Sequence, residues 1–424
     1  MTATEFHIGI DDTDSESGGC TTYTAAVLFQ ELCSREIPPS DFPWLVRLNP
    51  NIPWKTRGNG ALSIHLLVEP NQIEKVQNLA LEITESTADL SAKRTDPAVL
   101  FLKGPVPEIL RHYSNSALHD VLTIRQASKV AGKTGVRTHL LKGNRGLIGS
   151  LAAIGAGLDQ VDHTFEIIAY RIKENLGTPR MVDPESIKLM NTRLGARTFH
   201  NLDPESGRIL VCPHGPDPVL LGIRGQTPQD VQEAFNLVRI NEPAERVMIF
   251  KTNQGTDAHL TKTGRVADLR PHQATVLTGR VEAIPKVLKG GHVIFQLRDD
   301  TGSVSCAAYA PTRSLMRAAR DLLPGDRVRV YGGIRGTSNR RLTLNLEKID
   351  VLELVEKMDW ENPVCRLCGG RLKSMGRNQG LRCKKCHLRN YSTTATRRVS
   401  ARTLELMTYT AVVGARRHLT RPDN

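Results

Sequence analysis

The chain reads as a multidomain α+β protein, and three observations carry that reading. Over the first 265 residues, apolar strand-like runs alternate with amphipathic helical ones, as an α/β or α+β region requires. From Pro271 to about Val355 the pattern changes to five strands with one inserted helix. Two Cys-x-x-Cys pairs then stand 14 residues apart near the C-terminus. A length of 424 residues accommodates two to four domains, each with its own core.

Phe6-His7-Ile8-Gly9-Ile10 predicts a short buried strand, and Asp11, Asp12 and Asp14 emerge at its C-terminal end, where open α/β sheets place ligand crevices. Ser15, Gly18, Gly19, Thr21 and Thr22 follow, and Thr24 to Leu32 predicts a helix whose N-terminus faces the same crevice. Carboxylates there suit Mg²⁺, with Asp11 and Asp12 as first candidates, while adjacent glycines let backbone N–H groups approach an anion. The competing reading is an acidic turn capping a helix. Ser63 to Val68 reads as a strand and Ile73 to Thr84 as a helix. In the glycine-rich stretch Val136 to Gly157, Gly143 to Gly149 reads as a tight loop feeding a helix from Ser150 to Ile154. Its glycines serve either a second anion-binding turn or close packing of a small-residue helix.

Strands are expected at Ala274–Val281, His292–Leu297, Ser303–Tyr309, Arg327–Ile334 and Leu342–Leu352, with a helix over Thr312–Leu323. Five strands with a helix between the third and fourth is the order of an OB-fold, a small barrel that binds oligonucleotides. Beyond the mildly acidic linker Glu353–Asp359, Cys365, Cys368, Cys383 and Cys386 predict a structural zinc ribbon, each knuckle turning two thiolates toward one tetrahedral Zn²⁺. Cys383-Lys384-Lys385-Cys386-His387 also spells a haem-attachment pattern, but the second matched knuckle and the lack of a secretory signal argue against haem. Helical spacing over Ser400–Leu419 predicts a terminal helix packed on the ribbon.

The formal net charge is +13, and from Arg371 onward there are thirteen Lys and Arg against Glu405 and Asp423. So concentrated a basic segment is the electrostatic footprint of a nucleic-acid binder, the alternative being a solvated basic face. No stretch has the order of a signal peptide and none reaches the roughly 18 apolar residues of a membrane span, so no membrane partner and a cytoplasmic location are expected. Scattered Cys20, Cys33, Cys212 and Cys306 fit a reducing compartment.

Taken together, Gly9-Ile10-Asp11-Asp12-Thr13-Asp14-Ser15, Gly19 to Tyr23, Asn49 to Asn59 and Thr252 to His259 resemble the archaeal TiaS family of isoleucine-tRNA 2-agmatinylcytidine synthetases. The resemblance covers essentially the whole chain. It implies a kinase-like α/β catalytic domain over residues 1–125, a ferredoxin-like α+β domain over 126–265, the OB-fold over 271–355, the zinc ribbon over 360–392 and a basic helix over 393–424. The implied reaction is ATP-dependent attachment of agmatine to carbon 2 of the wobble cytidine of the CAU-anticodon isoleucine tRNA, after phosphoryl activation of the base carbonyl, so that the anticodon reads AUA.

The resemblance further implies that ATP ends as AMP and that Thr21 takes up phosphate, with Thr22 beside it as the confounder. Asp11, Asp12 and Asp14 then hold one or two Mg²⁺, or one of them orients the attacking oxygen, and Ser15, Gly18, Gly19, Thr22 and Lys55 meet ATP. Trp54, Arg57 and Asn59 line the substrate pocket, Trp54 offering a face for a base; the plainer reading is a rigid turn with Trp54 buried. Asn253, Asp257 and His259 contact agmatine or the cytidine edge, with Asp257 as cation partner, and Arg224 is placed near substrate. Two rival readings stay open: a non-catalytic single-strand-binding protein built on the OB-fold and ribbon, and an ATP-dependent RNA-modifying enzyme using another amine.

Overall fold

The computed structural model describes residues 3–16, 18–336, 341–377, 379–390 and 395–423. Small parts of the expected ribbon and terminal helix, at 378, 391–394 and 424, lie outside the described residues. The first half contains β1 (Thr4–Asp11), α1 (Thr21–Ser34), β2 (Trp44–Arg47), β3 (Gly60–Val68), α2 (Ile73–Thr87), β4 (Ala98–Lys103), α3 (Glu108–His119), α4 (Ile124–Thr134), β5 (Arg137–Leu140) and α5 (Gly146–Ile154). After it come β6 (Thr164–Arg171), α6 (Pro184–Leu194), β7 (Thr198–Phe199), β8 (Val219–Gly225), α7 (Pro228–Leu237) and β9 (Ala244–Thr252).

These strands form one nine-stranded sheet in the order β5-β4-β1-β3-β2-β9-β6-β8-β7. β1 runs near the middle of its half, antiparallel to β3 on one side and β4 on the other. Phe6, Ile8 and Ile10 alternate onto the face covered by α1 and α2, where Leu28, Leu32, Val76 and Leu79 meet them. The intervening Gly9 and Asp11 face α5. α5 lies flat on the sheet because its contact residues are small: a Cβ at Gly9 would stand 2.4 Å from the Ser150 carbonyl oxygen. Close packing is thus what the glycine-rich stretch serves.

The expected division at 125/126 falls within one packed unit. Ala127, Ala131, Leu147 and Leu151 of α4 and α5 share one core with Trp44, Ala61, Leu100 and Leu110, so both helices complete the first half. α5 lies on β1, β3 and β4, and α4 packs against α3 and α5.

The OB-fold follows with β10 (Ala274–Val281), β11 (Lys286–Val287), β12 (Val293–Arg298), β13 (Ser303–Ala308), α8 (Ser314–Arg320), β14 (Arg327–Arg335) and β15 (Thr343–Glu353). Pairing of β10 with both β14 and β12 closes the barrel, and the parallel β13–β15 pairing spans the α8 connection. The ribbon module is β16 (Lys357–Glu361), β17 (Leu372–Ser374), β18 (Leu381–Cys383), β19 (Arg389–Asn390) and β20 (Thr396–Ser400), with β16 and β20 forming its antiparallel stem.

The expected terminal helix is absent among the described residues. β21 (Thr408–Thr410) instead adds to β15, and Leu404 and Ala411 enter the OB-fold core. The segment is rich in β-branched residues, which lose side-chain freedom in a helix and pack well on a sheet edge. Arg402 anchors the return from the ribbon, its Nη2 2.7 Å from the fully buried Asp326 carboxylate. No helix among the described residues is long and apolar enough to cross a membrane.

Under the N-terminal strand, His7 Nδ1 and His65 Nδ1 lie 2.6 Å apart, both rings buried, with His65 Nε2 3.1 Å from Ser63 Oγ. Burial holds both imidazoles below their usual pKa, His65 well below. The native pair is therefore neutral, while the unfolded chain takes up these protons below about pH 6.5, so stability present above that pH is lost as pH falls. The urea midpoint should drop between about pH 7.5 and about pH 5.5, and His65→Gln should remove part of that drop; a midpoint unaffected by pH in both chains would contradict the buried neutral pair.

Candidate active site

A cavity of about 350 Å³ opens where the two halves of the sheet meet. Asp11, Asp12, Asp14, Thr21, Thr22, Trp54, Lys55, Arg57 and Asn59 all line it, as the sequence predicts, and Arg224 joins them from the second half. Asp11 ends β1, and the chain turns sharply at Asp12, whose φ of +60° few non-glycine residues adopt. Arg145 grips Asp12 through Nε at 2.9 Å, and Arg57 Nη2 stands 3.1 Å from Asp14 Oδ2 while donating to the Gly19 carbonyl oxygen at 2.6 Å. Enclosure raises all three carboxyls. Asp11, with Asp12 beside it, is held well above the usual range, Asp12 is pushed to about 6 against the pull of Arg145, and Asp14 is raised against that of Arg57.

Thr21 opens α1, a 14-residue helix with no side-chain cap and no acidic residue in its first turn, so its N-terminal N–H groups and dipole favour an anion. Thr22 Oγ1 lies 2.9 Å from Cys20 Sγ. Ser15, Gly18 and Gly19 do not reach the cavity wall. They form a tight turn beside it: Ser15 N donates to the Gly18 carbonyl oxygen at 2.8 Å, and the Gly19 carbonyl oxygen accepts from Arg57.

The loop between β2 and β3 is held at its base by Asn49, which is fully buried and donates to the carbonyl oxygens of His119 and His272 at 3.2 and 2.8 Å. Asn59, also at positive φ, donates to the Asn49 carbonyl oxygen at 2.7 Å, so it shapes the loop while lining the pocket. Trp54 is 47% exposed, which removes the buried-turn reading and leaves a face open to a base.

Three expected substrate contacts lie elsewhere. Asn253 clips the backbone of Arg47, accepting from its N–H at 2.8 Å and donating to its carbonyl oxygen at 2.9 Å. Asp257 pairs with Lys348 of the OB-fold and accepts from Arg421 N, and His259 is fully buried with Nε2 3.0 Å from Glu347. Polar groups of this segment are spent on joining domains, since each sits between two packed surfaces and needs a partner there.

Sequence reasoning gave no individual role to Arg145 or Asp217, although it marked their segments, and missed Glu166 and His418, all in the cavity wall. Glu166 had a signal, being the one acidic residue inside the apolar run Phe165 to Tyr170. It is buried against Arg224 Nε at 3.0 Å and Gln254 Nε2 at 2.5 Å. His418 had none, as it arrives from the far C-terminus.

At the other end of the chain, Cys365 and Cys386 sulfurs lie 3.4 Å apart and those of Cys368 and Cys383 3.3 Å apart. All four converge within 4.8 Å, close to the roughly 3.8 Å edges of a tetrahedron with Zn–S bonds of about 2.3 Å. Among the described residues no group of three or more carboxylates converges as tightly.

Family models match the chain from end to end: the TiaS TCKD domain over residues 7–143, the TiaS FLD domain over 144–259, an OB-fold nucleic acid binding domain over 275–352 and the TiaS C-terminal zinc ribbon domain over 362–404. The chain belongs to the TiaS family. The isoleucine-tRNA 2-agmatinylcytidine synthetase TiaS of Pyrococcus horikoshii is 41% identical over 416 residues, covering 98% of this chain and 96% of the relative. A crystal structure of apo TiaS superposes with a TM-score of 0.86 at 39% identity, covering 99% of this chain and 97% of that one. A crystal structure of TiaS in complex with an isoleucine tRNA, AMPCPP and agmatine gives a TM-score of 0.85 at 37% identity, covering 99% and 96%. The multidomain α+β reading, the OB-fold and the zinc ribbon hold for this TiaS chain.

Chelation should release about one zinc per chain and expose the ribbon to protease while the nine-stranded sheet stays protected; simultaneous loss of both would mean the modules are not separate. In α5, a Cβ on Gly149 would lie 2.0 Å from Asp11 Oδ2. Gly149→Ala should therefore displace that carboxylate and cost about 100-fold in turnover with zinc content unchanged.

Proposed function

We propose that this chain ligates agmatine to carbon 2 of the wobble cytidine of the CAU-anticodon isoleucine tRNA, using ATP, in the cytoplasm. The observation that carries this is the joining of Asp11, Asp12, Asp14 and Thr21 in one cavity, within a chain that matches TiaS relatives over nearly its full length. A ring carbonyl oxygen leaves poorly. Transfer of one phosphoryl group from ATP to it creates a phosphate ester and leaves ADP, and passage of the second to Thr21, from which water removes it, leaves AMP; the agmatine amine then attacks carbon 2, loses its proton, and the carbon–oxygen bond breaks with release of phosphate.

The residues divide this work. The N-terminus of α1 and Thr21 receive phosphate, Thr21 as the hydroxyl that is phosphorylated, with Thr22 flanking the nucleotide. Arg145 and Arg57 keep Asp12 and Asp14 in place. Asp11 and Asp12 would hold Mg²⁺: two crowded, raised carboxyls gain from a divalent cation, which would neutralise phosphate charge. Trp54 stacks the cytidine, which must leave its neighbours to enter the cavity. The cation partner of agmatine is Asp217, a buried cavity acid whose nearest guanidinium, Arg180, is 3.6 Å away.

Incubation with ATP, Mg²⁺, agmatine and the tRNA transcript, followed by mass analysis of digested nucleosides, tests the reading. One cytidine should gain agmatine with loss of its oxygen. Asp12→Asn and Thr21→Ala should each reduce the product at least about 100-fold, and Asp217→Asn should raise the agmatine KM with less effect on ATP. Tight tRNA binding without product would favour a binding protein, and equal use of another amine would overturn the agmatine assignment.

A further inference from the structure

A second cavity of about 310 Å³ adjoins the first and shares Arg47, Lys55, Arg57 and His418 with it. Arg416 and Arg417 complete its charged wall, and no Asp or Glu among the described residues lines it. The partners of these cations differ. Arg57 is committed to Asp14, Arg47 stands 4.0 Å from Glu166, and Arg416 is paired with Asp423. Lys55 and Arg417 have no acidic partner among the described residues. They come from opposite ends of the chain, Lys55 from the loop between β2 and β3 and Arg417 from the C-terminal segment.

That segment is fastened where it passes the site. Its carbonyl oxygens at His418 and Leu419 accept from Gly255 N at 3.0 Å and Asp257 N at 2.8 Å, Arg421 N donates to Asp257 Oδ1 at 2.8 Å, and Leu419 and Thr420 are buried. Arg417 is exposed and lies immediately before these anchors. Like charges held together without a counter-ion cost free energy, and Lys55 registers it: burial and then the charges of Arg417 and Arg335 lower its pKa. His418, open to the lumen but packed round with protein and flanked by Arg47 and Arg224, is held well below the usual imidazole value, so it offers a neutral ring beside the cations. An anion entering the cavity relieves this repulsion.

We infer that Lys55 and Arg417 clamp an RNA backbone phosphate next to the target cytidine, in the cavity beside the reacting one. This rests on the proposed function. A base extruded into the first cavity leaves its flanking phosphodiester at the rim, and the rim is this acid-free wall. Arg417, from a segment that follows the zinc ribbon in sequence, thereby makes the C-terminus part of the catalytic pocket.

The test measures binding of the isoleucine tRNA transcript across a salt series, with ATP binding measured separately by calorimetry. Lys55→Ala and Arg417→Ala should each weaken RNA binding about 10-fold and reduce the salt slope by about one, with ATP affinity unchanged, and Arg417→Lys should restore the slope. A neutral methylphosphonate at one phosphate flanking the target cytidine should weaken the unaltered chain and cancel the further effect of Arg417→Ala. Additive losses, or an unchanged slope, would overturn the assignment. Loss of ATP affinity with RNA binding intact would make this a nucleotide phosphate site and overturn it as well. Failure of the proposed reaction is seen separately, as intact RNA binding and slopes without agmatine transfer.

Discussion

The candidate site depends on a short parallel pairing between β2 and β9, Trp44 opposite Lys251 and Leu45 opposite Thr252. Two register pairs alone are a weak joint between half-sheets. Two further devices reinforce it: the reciprocal hydrogen bonds between the Asn253 carboxamide and the Arg47 backbone, and the face of α1 that carries Ala25 and Ala26 across the seam against Leu45, Ile168 and Phe250. The first cavity takes its walls from both sides of this joint, so the aspartates of β1 face Glu166, Asp217 and Arg224 only while it holds.

Charge is arranged along the pocket by the same geometry. At one end three enclosed carboxyls repel one another and are balanced by Arg145 and Arg57; toward the C-terminal segment the charged wall residues are all cations. Both extremes carry an electrostatic cost that ligand groups of opposite charge would offset. Such opposed, raised and lowered pKa values mark a site built for a charged ligand rather than for stability.

Much of this was legible from local chemistry. β1 and its acidic turn show as an apolar run ending in Asp-Asp-Thr-Asp, and the OB-fold shows in strand spacing with turn residues at Gly290-Gly291 and Pro324-Gly325-Asp326. The cysteine knuckles specify their own ligand geometry. Less legible were residues whose type suits two tasks. Asp257 and His259 look equally like ligands for a cation and like joints to Lys348 and Glu347, and only their neighbours decide. The stretch after Ser400 carries helical spacing but meets the open edge of β15, and pairing with that edge prevails.

By itself the sequence determined the OB-fold strand order, the strand that presents Asp11, Asp12 and Asp14 and the four zinc thiolates, because each follows from spacing within a few tens of residues, while the first two modules were implied only by the family resemblance. Tertiary structure alone decided that α4 and α5 belong to the first half, that Arg145 and Arg57 hold the aspartates, and that Glu166, Asp217, Arg417 and His418 come to the pocket. Those contacts join residues up to the full length of the chain apart, and their partners are chosen by packing of surfaces that no local pattern encodes.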